Sequence, residues 1–112
     1  MAKAELMFDN LGGASDTESG HFTYVYDGTS WQGQVSGLAF TPKRVIMSGA
    51  SSTSINLTQF LDTVSNVVVT TLNGVTSSNA YNFAISGNSF TYNKGLSSSL
   101  NGLEIYWTAY RD

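Results

Sequence analysis

The sequence contains no cysteine and a single histidine, and both scarcities exclude kinds of chemistry. Without cysteine the chain has no disulfide framework and no thiolate metal site. A hydrolytic triad needs a histidine as its base, but no G-x-S-x-G motif accompanies His21. We therefore interpret His21 as a surface or strand-end residue. The acidic residues are scattered rather than paired as in a glycosidase. The sequence thus predicts no catalytic residue, no metal, no cofactor and no enzyme activity.

Charged residues are also scarce. They make up 12% of the 112 residues, whereas soluble domains typically contain about 25%. The net charge is -3 and only five residues are Lys or Arg, so the chain lacks the basic surface of a nucleic-acid-binding protein. Serine, threonine, asparagine and glycine supply the polarity instead. This composition is common among extracellular and virion β-proteins.

Long apolar runs are missing as well. No run approaches the roughly 18 to 20 residues that a membrane-spanning helix requires. The first residues, MAKAE, also lack the apolar core of a signal peptide. We therefore expect a protein that is made in a cytoplasm without export and that has no membrane partner.

The clearest pattern that is present lies in the last dozen residues, 101–112. After the turn signal Asn101-Gly102, apolar residues occupy every second position, as in a strand with one buried face. The apolar face comprises Leu103, Ile105, Trp107 and Ala109, and the opposite face comprises Glu104, Tyr106, Thr108 and Tyr110. Aromatic residues are enriched in interface cores, so we expect Tyr106 and Tyr110 to form an oligomer interface. The alternative is that a second sheet covers this face and makes both tyrosines part of the core.

The rest of the chain alternates short strand-like segments with turn signals. Such signals every 8 to 12 residues or so are typical of β-sandwiches and barrels. We predict a single domain, residues 1–112, with an all-β fold: an antiparallel, jelly-roll-like β-sandwich of about eight or nine short strands. The other predicted strands are 21–26, 30–35, 55–60, 67–71, 80–85 and 89–92. Residues 38–47 are predicted to form a strand pair or one bent strand, and residues 9–20 a loop. The predicted core comprises Ile105, Trp107, Phe83, Ile85, Val45 and Phe40.

One segment contains the residue types of a sugar-binding site. Sugars are bound by flat aromatic faces flanked by amides and hydroxyls, because a pyranose has an apolar C–H face and a polar rim. Trp31, Asp27 and Gln32 lie within such a short span, and Tyr24 and Tyr26 are candidate neighbours. These three residues are therefore the expected contacts if the protein binds a glycan. The structural alternative is that Trp31 belongs to the core.

Three motifs in order give the chain a family resemblance. The segment Gly37–Ile46, GLAFTPKRVI, resembles a Gly-x-x-Phe-x-Pro-Lys-x-Val-Ile strand that recurs in phage tail-fibre proteins. A Phe-x-Ile segment with a later phenylalanine follows, here Phe83 to Phe90. The chain then closes on an aromatic-Ala strand, here Tyr106–Tyr110.

The resemblance implies a small β-sandwich of a phage or prophage virion, often trimeric, in a tail fibre or baseplate. It implies a homo-oligomeric structural subunit located in the virion and contacting other virion proteins, and it leaves contact with host-surface glycans open. The residues also allow a lectin-like carbohydrate-binding module with no virion role. A third interpretation is a surface structural protein that binds no ligand.

Overall fold

The computed structural model describes residues 16–29, 32–78 and 83–111. Within these ranges the chain forms nine strands and one 3-10 helix. The strands are β1 (Thr17–Thr23), β2 (Gln32–Val35), β3 (Arg44–Ala50), β4 (Asn56–Asp62), β5 (Val67–Leu72), β6 (Val75–Ser77), β7 (Ala84–Ser86), β8 (Ser89–Asn93) and β9 (Glu104–Tyr110), and the helix is Ser98–Leu100.

The strands form two antiparallel sheets that pack together as a sandwich. The larger sheet has six strands in the order β1-β9-β3-β4-β5-β6, and the smaller has three in the order β2-β8-β7. The predicted all-β antiparallel sandwich is confirmed. The C-terminal strand β9 lies inside the larger sheet, where it pairs with β1 on one side and β3 on the other. A terminal strand with two neighbours is firmly held.

The core lies between the sheets and is aromatic at its centre. The Trp107 ring of β9 meets the Phe90 ring of β8 edge to face, with centroids 5.5 Å apart. Phe90 meets Phe83 in the same manner, at 6.1 Å. Edge-to-face rings stabilise a core beyond their buried area. The predicted core residues Ile105, Trp107, Phe83, Val45 and Phe40 are buried, and Ile85 packs against them half-buried.

The prediction of a loop over residues 9–20 is wrong for residues 17–20, which belong to strand β1. Residues 9–15 lie outside the described ranges. Gly20 suggested a loop, but it lies opposite Trp107 in the β1–β9 ladder. A Cβ atom on Gly20 would come within 2.7 Å of Trp107 Cζ2. The glycine is therefore required by a close cross-strand approach, which is one of the uses of glycine inside strands.

The predicted strand 21–26 ends early, at Thr23. Tyr24 lies just beyond the strand, where its amide donates to the Leu103 carbonyl oxygen at 2.7 Å and its carbonyl oxygen accepts from the Gly102 amide at 2.8 Å. Its side chain is fully buried. Its hydroxyl donates to the Asn93 carbonyl oxygen at 2.7 Å and accepts from the Leu96 amide at 3.2 Å. Burial raises the pKa of the Tyr24 hydroxyl above 10.0. The tyrosine thus closes one end of the sandwich and satisfies backbone groups of the turn after β8.

The Asn73-Gly74 turn signal joins β5 to β6, a strand that the sequence pattern did not predict. Asn73 and Gly74 have φ values of 50° and 85°, as the tight turns of two-residue hairpins require. Only three residues, Val75–Ser77, continue the hairpin. A segment this short shows too little alternation to be recognised as a strand. The Ser-rich composition of residues 94–100 predicts a loop, and the structure places the short helix Ser98–Leu100 within it.

Candidate functional site on the outer face of the larger sheet

We call the side of the six-stranded sheet that faces away from the core its outer face. In β9 the core-facing residues alternate with Glu104, Tyr106, Thr108 and Tyr110, as the sequence predicted. The smaller sheet packs on the other side, where Trp107 meets Phe90. Tyr106 is 60% exposed. The alternative in which a second sheet covers this face and buries Tyr106 therefore does not hold.

One half of the outer face is polar. Cross-strand pairing aligns Tyr106 with Ser48, Ser48 with Thr58, Thr58 with Thr71, and Thr71 with Thr76. We call Ser48, Thr58, Thr71 and Thr76 the hydroxyl row. The Thr71 and Thr76 hydroxyls hydrogen-bond to each other at 2.8 Å. The row thus runs across four adjacent strands, with the Tyr106 ring at its β9 end.

The other half of the outer face carries five apolar or aromatic side chains together with Thr108, Arg44 and Asp62. Ile46, Phe60 and Val69 are direct cross-strand neighbours on β3, β4 and β5. Tyr110 and Val67 lie in the next row towards the end of the sheet, and Val67 is 38% exposed. We call these five residues the apolar patch. Tyr106 and Tyr110 are four residues apart in β9, or about 13 Å at the rise of a strand, so the two tyrosines belong to different halves.

The charges in the row of Tyr110 compensate each other. Arg44 Nε donates to Asp62 Oδ2 at 2.9 Å. The other carboxylate oxygen of Asp62 accepts from the backbone amides of Val64 and Ser65. The Arg44 hydrogen bond, assisted by these amides, lowers the pKa of Asp62 to about 2. The carboxylate is therefore ionised at neutral pH and its negative charge is matched by Arg44.

A hydrogen-bonded polar cluster lies beside Tyr106. Glu104 Oε2 is hydrogen-bonded to His21 Nδ1, and Glu104 Oε1 accepts from the Thr23 hydroxyl at 2.8 Å. These two hydrogen bonds, that of His21 first, lower the pKa of Glu104. The His21 ring lies 5.4 Å from the Tyr106 ring, with 33° between the planes. His21 is thus a surface residue, as expected, but it lies within β1 rather than at a strand end.

The structure describes two of the three residues predicted to bind a sugar, because Trp31 lies outside the described ranges. Asp27 and Gln32 both lie next to the end of β8. The Asp27 amide donates to the Lys94 carbonyl oxygen at 2.7 Å, and Gln32 is the cross-strand partner of Asn93. Asp27 Oδ1 accepts from the Thr29 amide at 2.8 Å and from the Thr29 hydroxyl at 2.6 Å. These bonds give the Asp27 carboxylate a structural role in its own turn.

Sequence reasoning missed a groove at the β3–β4 end of the outer face. The groove has a volume of about 650 Å³ and is lined by Ser48, Gly49, Ala50, Ser51, Ser52, Thr53, Asn56 and Thr58. Six of these eight residues carry a hydroxyl or amide side chain, and none is charged. The composition of residues 49–54, GASSTS, predicts only a loop, and this is wrong for Gly49 and Ala50, which belong to β3. The groove depends on which strands are neighbours, and a local pattern does not contain that information.

No family model, curated protein or solved structure matches the chain. Within the described ranges, no helix is long and apolar enough to cross a membrane. The same residues contain no group of three or more His, Asp or Glu side chains placed to hold a metal ion.

Proposed function

We propose that the chain is a structural subunit of a phage-type virion, of the tail-fibre or baseplate kind, and that it forms a homo-oligomer through the apolar patch. The observation that carries the proposal is this patch: Ile46, Phe60 and Val69 lie side by side on three adjacent strands of the sheet face opposite the core. Tyr110 and Val67 lie at the two ends of the next row, with Arg44 and Asp62 between them. Apolar patches of this kind mark interaction sites.

The charge pattern favours a second copy of the chain as the partner. An uncompensated charge in the patch would need a matching charge on the facing surface of the neighbouring copy. Among the described residues, the ion pair of Arg44 with Asp62 lies between Tyr110 and Val67 and carries no net charge. A trimer is the form that the tail-fibre resemblance implies. Tyr110 lies within the proposed interface, whereas Tyr106 lies at its edge.

The virion role is tested by the composition of purified particles. Mass spectrometry of purified virions of the phage or prophage that encodes the chain should detect the chain in a fixed ratio to the known tail proteins. Detection of the chain only in the cell lysate, in a preparation whose tail proteins are all found, would contradict the virion role. Such a result would leave a lectin-like module as the other candidate, which the groove beside Tyr106 favours.

A further inference from the structure

We propose that Tyr106 and the groove beside it form a binding site for a neutral oligosaccharide. This site differs from the one expected around Trp31. The inference rests on the proposed function in one respect: copies of the chain cover the apolar patch, and the hydroxyl row stays open at the surface of the assembly. The site and the patch lie in adjacent rows, with Ser48 two residues from Ile46 in β3 and Thr58 two residues from Phe60 in β4, so the interface must end at the row of Ile46, Phe60 and Val69.

The Tyr106 ring is the platform of the site. Pairing places His21, Tyr106 and Ser48 side by side on β1, β9 and β3. The His21 ring supports Tyr106 from the β1 side at 5.4 Å, so the opposite ring face lies towards β3 and the groove. Tyr106 is 60% exposed, and a tyrosine combines an apolar ring with a polar tip. Such a ring can stack on the C–H face of a hexose.

Two hydroxyls next to this platform are available to a ligand. Ser48 is the cross-strand neighbour of Tyr106, and Cα atoms of such pairs are about 4.5 to 5.5 Å apart. Thr58 is the next neighbour. Both side chains are exposed, and neither hydrogen-bonds to another of the described residues. A serine or threonine hydroxyl both donates and accepts, which suits the hydroxyl rim of a sugar.

The loop that completes the groove is held by its own hydrogen bonds. Ser52 Oγ accepts from the Ser54 and Ile55 amides at 3.2 and 3.1 Å. Asn56 Nδ2 donates to the Thr53 carbonyl oxygen at 2.7 Å. A preformed loop lowers the entropic cost of binding. The groove has a volume of about 650 Å³ and is shallow and largely open to solvent.

The electrostatics favour a neutral sugar over an anionic one. No charged residue lines the groove. The nearest described charge on the Tyr106 side is Glu104, whose carboxylate is kept ionised by the His21 and Thr23 hydrogen bonds that lower its pKa. A sialylated or phosphorylated glycan would approach this carboxylate, and the chain as a whole carries a net charge of -3. Like charges in an interface disfavour the wrong partner.

The test is an NMR titration of the full chain with maltotetraose, cellotetraose and tetra-N-acetylchitotetraose, and with sialyllactose as the charged comparison. At least one neutral probe should bind saturably with a Kd on the order of 1 mM, as befits one aromatic platform. The amide shifts should centre on Ser48, Thr58 and Tyr106. Tyr106→Ala should weaken binding by about tenfold or more, and Tyr106→Phe should retain it within about threefold, since the ring supplies most of the contact.

Tyr110→Ala is the matched control, because it removes the same side chain from the same strand and face. It should leave sugar binding unchanged, and so should Val67→Lys, which is directed at assembly alone. Four results would each overturn the site: no saturable binding of any neutral probe, shifts centred elsewhere, full binding by a folded Tyr106→Ala variant, or tighter binding of sialyllactose. The mass of the oligomer, measured on the same samples, reports separately on the proposed assembly.

Discussion

Gly20 of β1 lies directly opposite Trp107 of β9, and a Cβ atom at Gly20 would lie 2.7 Å from the indole. The glycine gives the largest aromatic residue of the core room against the neighbouring strand. This relationship explains why a residue that ordinarily weakens strands occurs inside one. It also joins strand β1 to Trp107, the side chain that contacts Phe90 of the smaller sheet.

Gly20→Ala should therefore destabilise the fold, although alanine is normally better than glycine in a strand. The added methyl group must displace the indole, and overpacking of this kind costs about 1 to 3 kcal/mol. Urea unfolding followed by tryptophan fluorescence measures the change. The adjacent exposed residue provides the control: Ser19→Ala should change the free energy of unfolding by no more than about 0.5 kcal/mol. A Gly20→Ala variant as stable as the parent would show that the indole is not confined at this position.

Trp107→Ala should lower the free energy of unfolding by roughly 3 to 5 kcal/mol, the usual cost of removing a buried large aromatic side chain. The loss arises because Trp107 contacts Phe90 of the smaller sheet. Thermal unfolding followed by far-UV circular dichroism is the measurement. Thr108→Ala, on the outer face of the same strand, serves as the control. If Trp107→Ala unfolded at the same temperature as the parent, the stability of the sandwich would not depend on this contact.

Stability should fall in acid in a way that depends on Asp62. The folded-state pKa of Asp62 is lowered from 3.8 to about 2, chiefly by the Arg44 hydrogen bond. Ionised Asp62 therefore stabilises the folded state above pH 3.8, and this contribution is lost as the pH falls towards about 2. Asp62→Asn should be less stable than the parent at pH 6, and the difference should shrink as the pH falls through this window.

Arg44→Met is the second variant for measuring stability against pH. It removes the main cause of the lowered Asp62 pKa and keeps the side-chain stem. Its stability should also decline less steeply than that of the parent between pH 4 and 2 or so. Parallel pH profiles of the parent and both variants would mean that the Arg44–Asp62 pair does not contribute to acid unfolding.

The period-two pattern of β9 was sufficient to predict its two faces, because burial alternates with every residue in a strand. It correctly assigned Trp107 and Ile105 to the core and Tyr106 to the outer face. Gly20 was misread because its role depends on its cross-strand partner, and a glycine beside Ser19 reads locally as a loop. The groove could not be predicted for the same reason, because it depends on cross-strand neighbours. Nothing in the local sequence shows that Ser48 lies next to Tyr106, 58 positions away in the numbering.

The mass of the protein in solution tests the proposed assembly most directly. Light scattering at micromolar concentration should give a multiple of the 12.0 kDa chain mass, with three chains expected. Val67→Lys places a charge in the apolar patch and should shift the mass towards one chain. Val75→Lys makes the same change at a 71% exposed position that pairs with Leu72 on the core-facing side of the sheet edge, and should preserve the oligomer. A parent mass of 12.0 kDa, or an oligomer equally unaffected by both substitutions, would contradict assembly through the apolar patch.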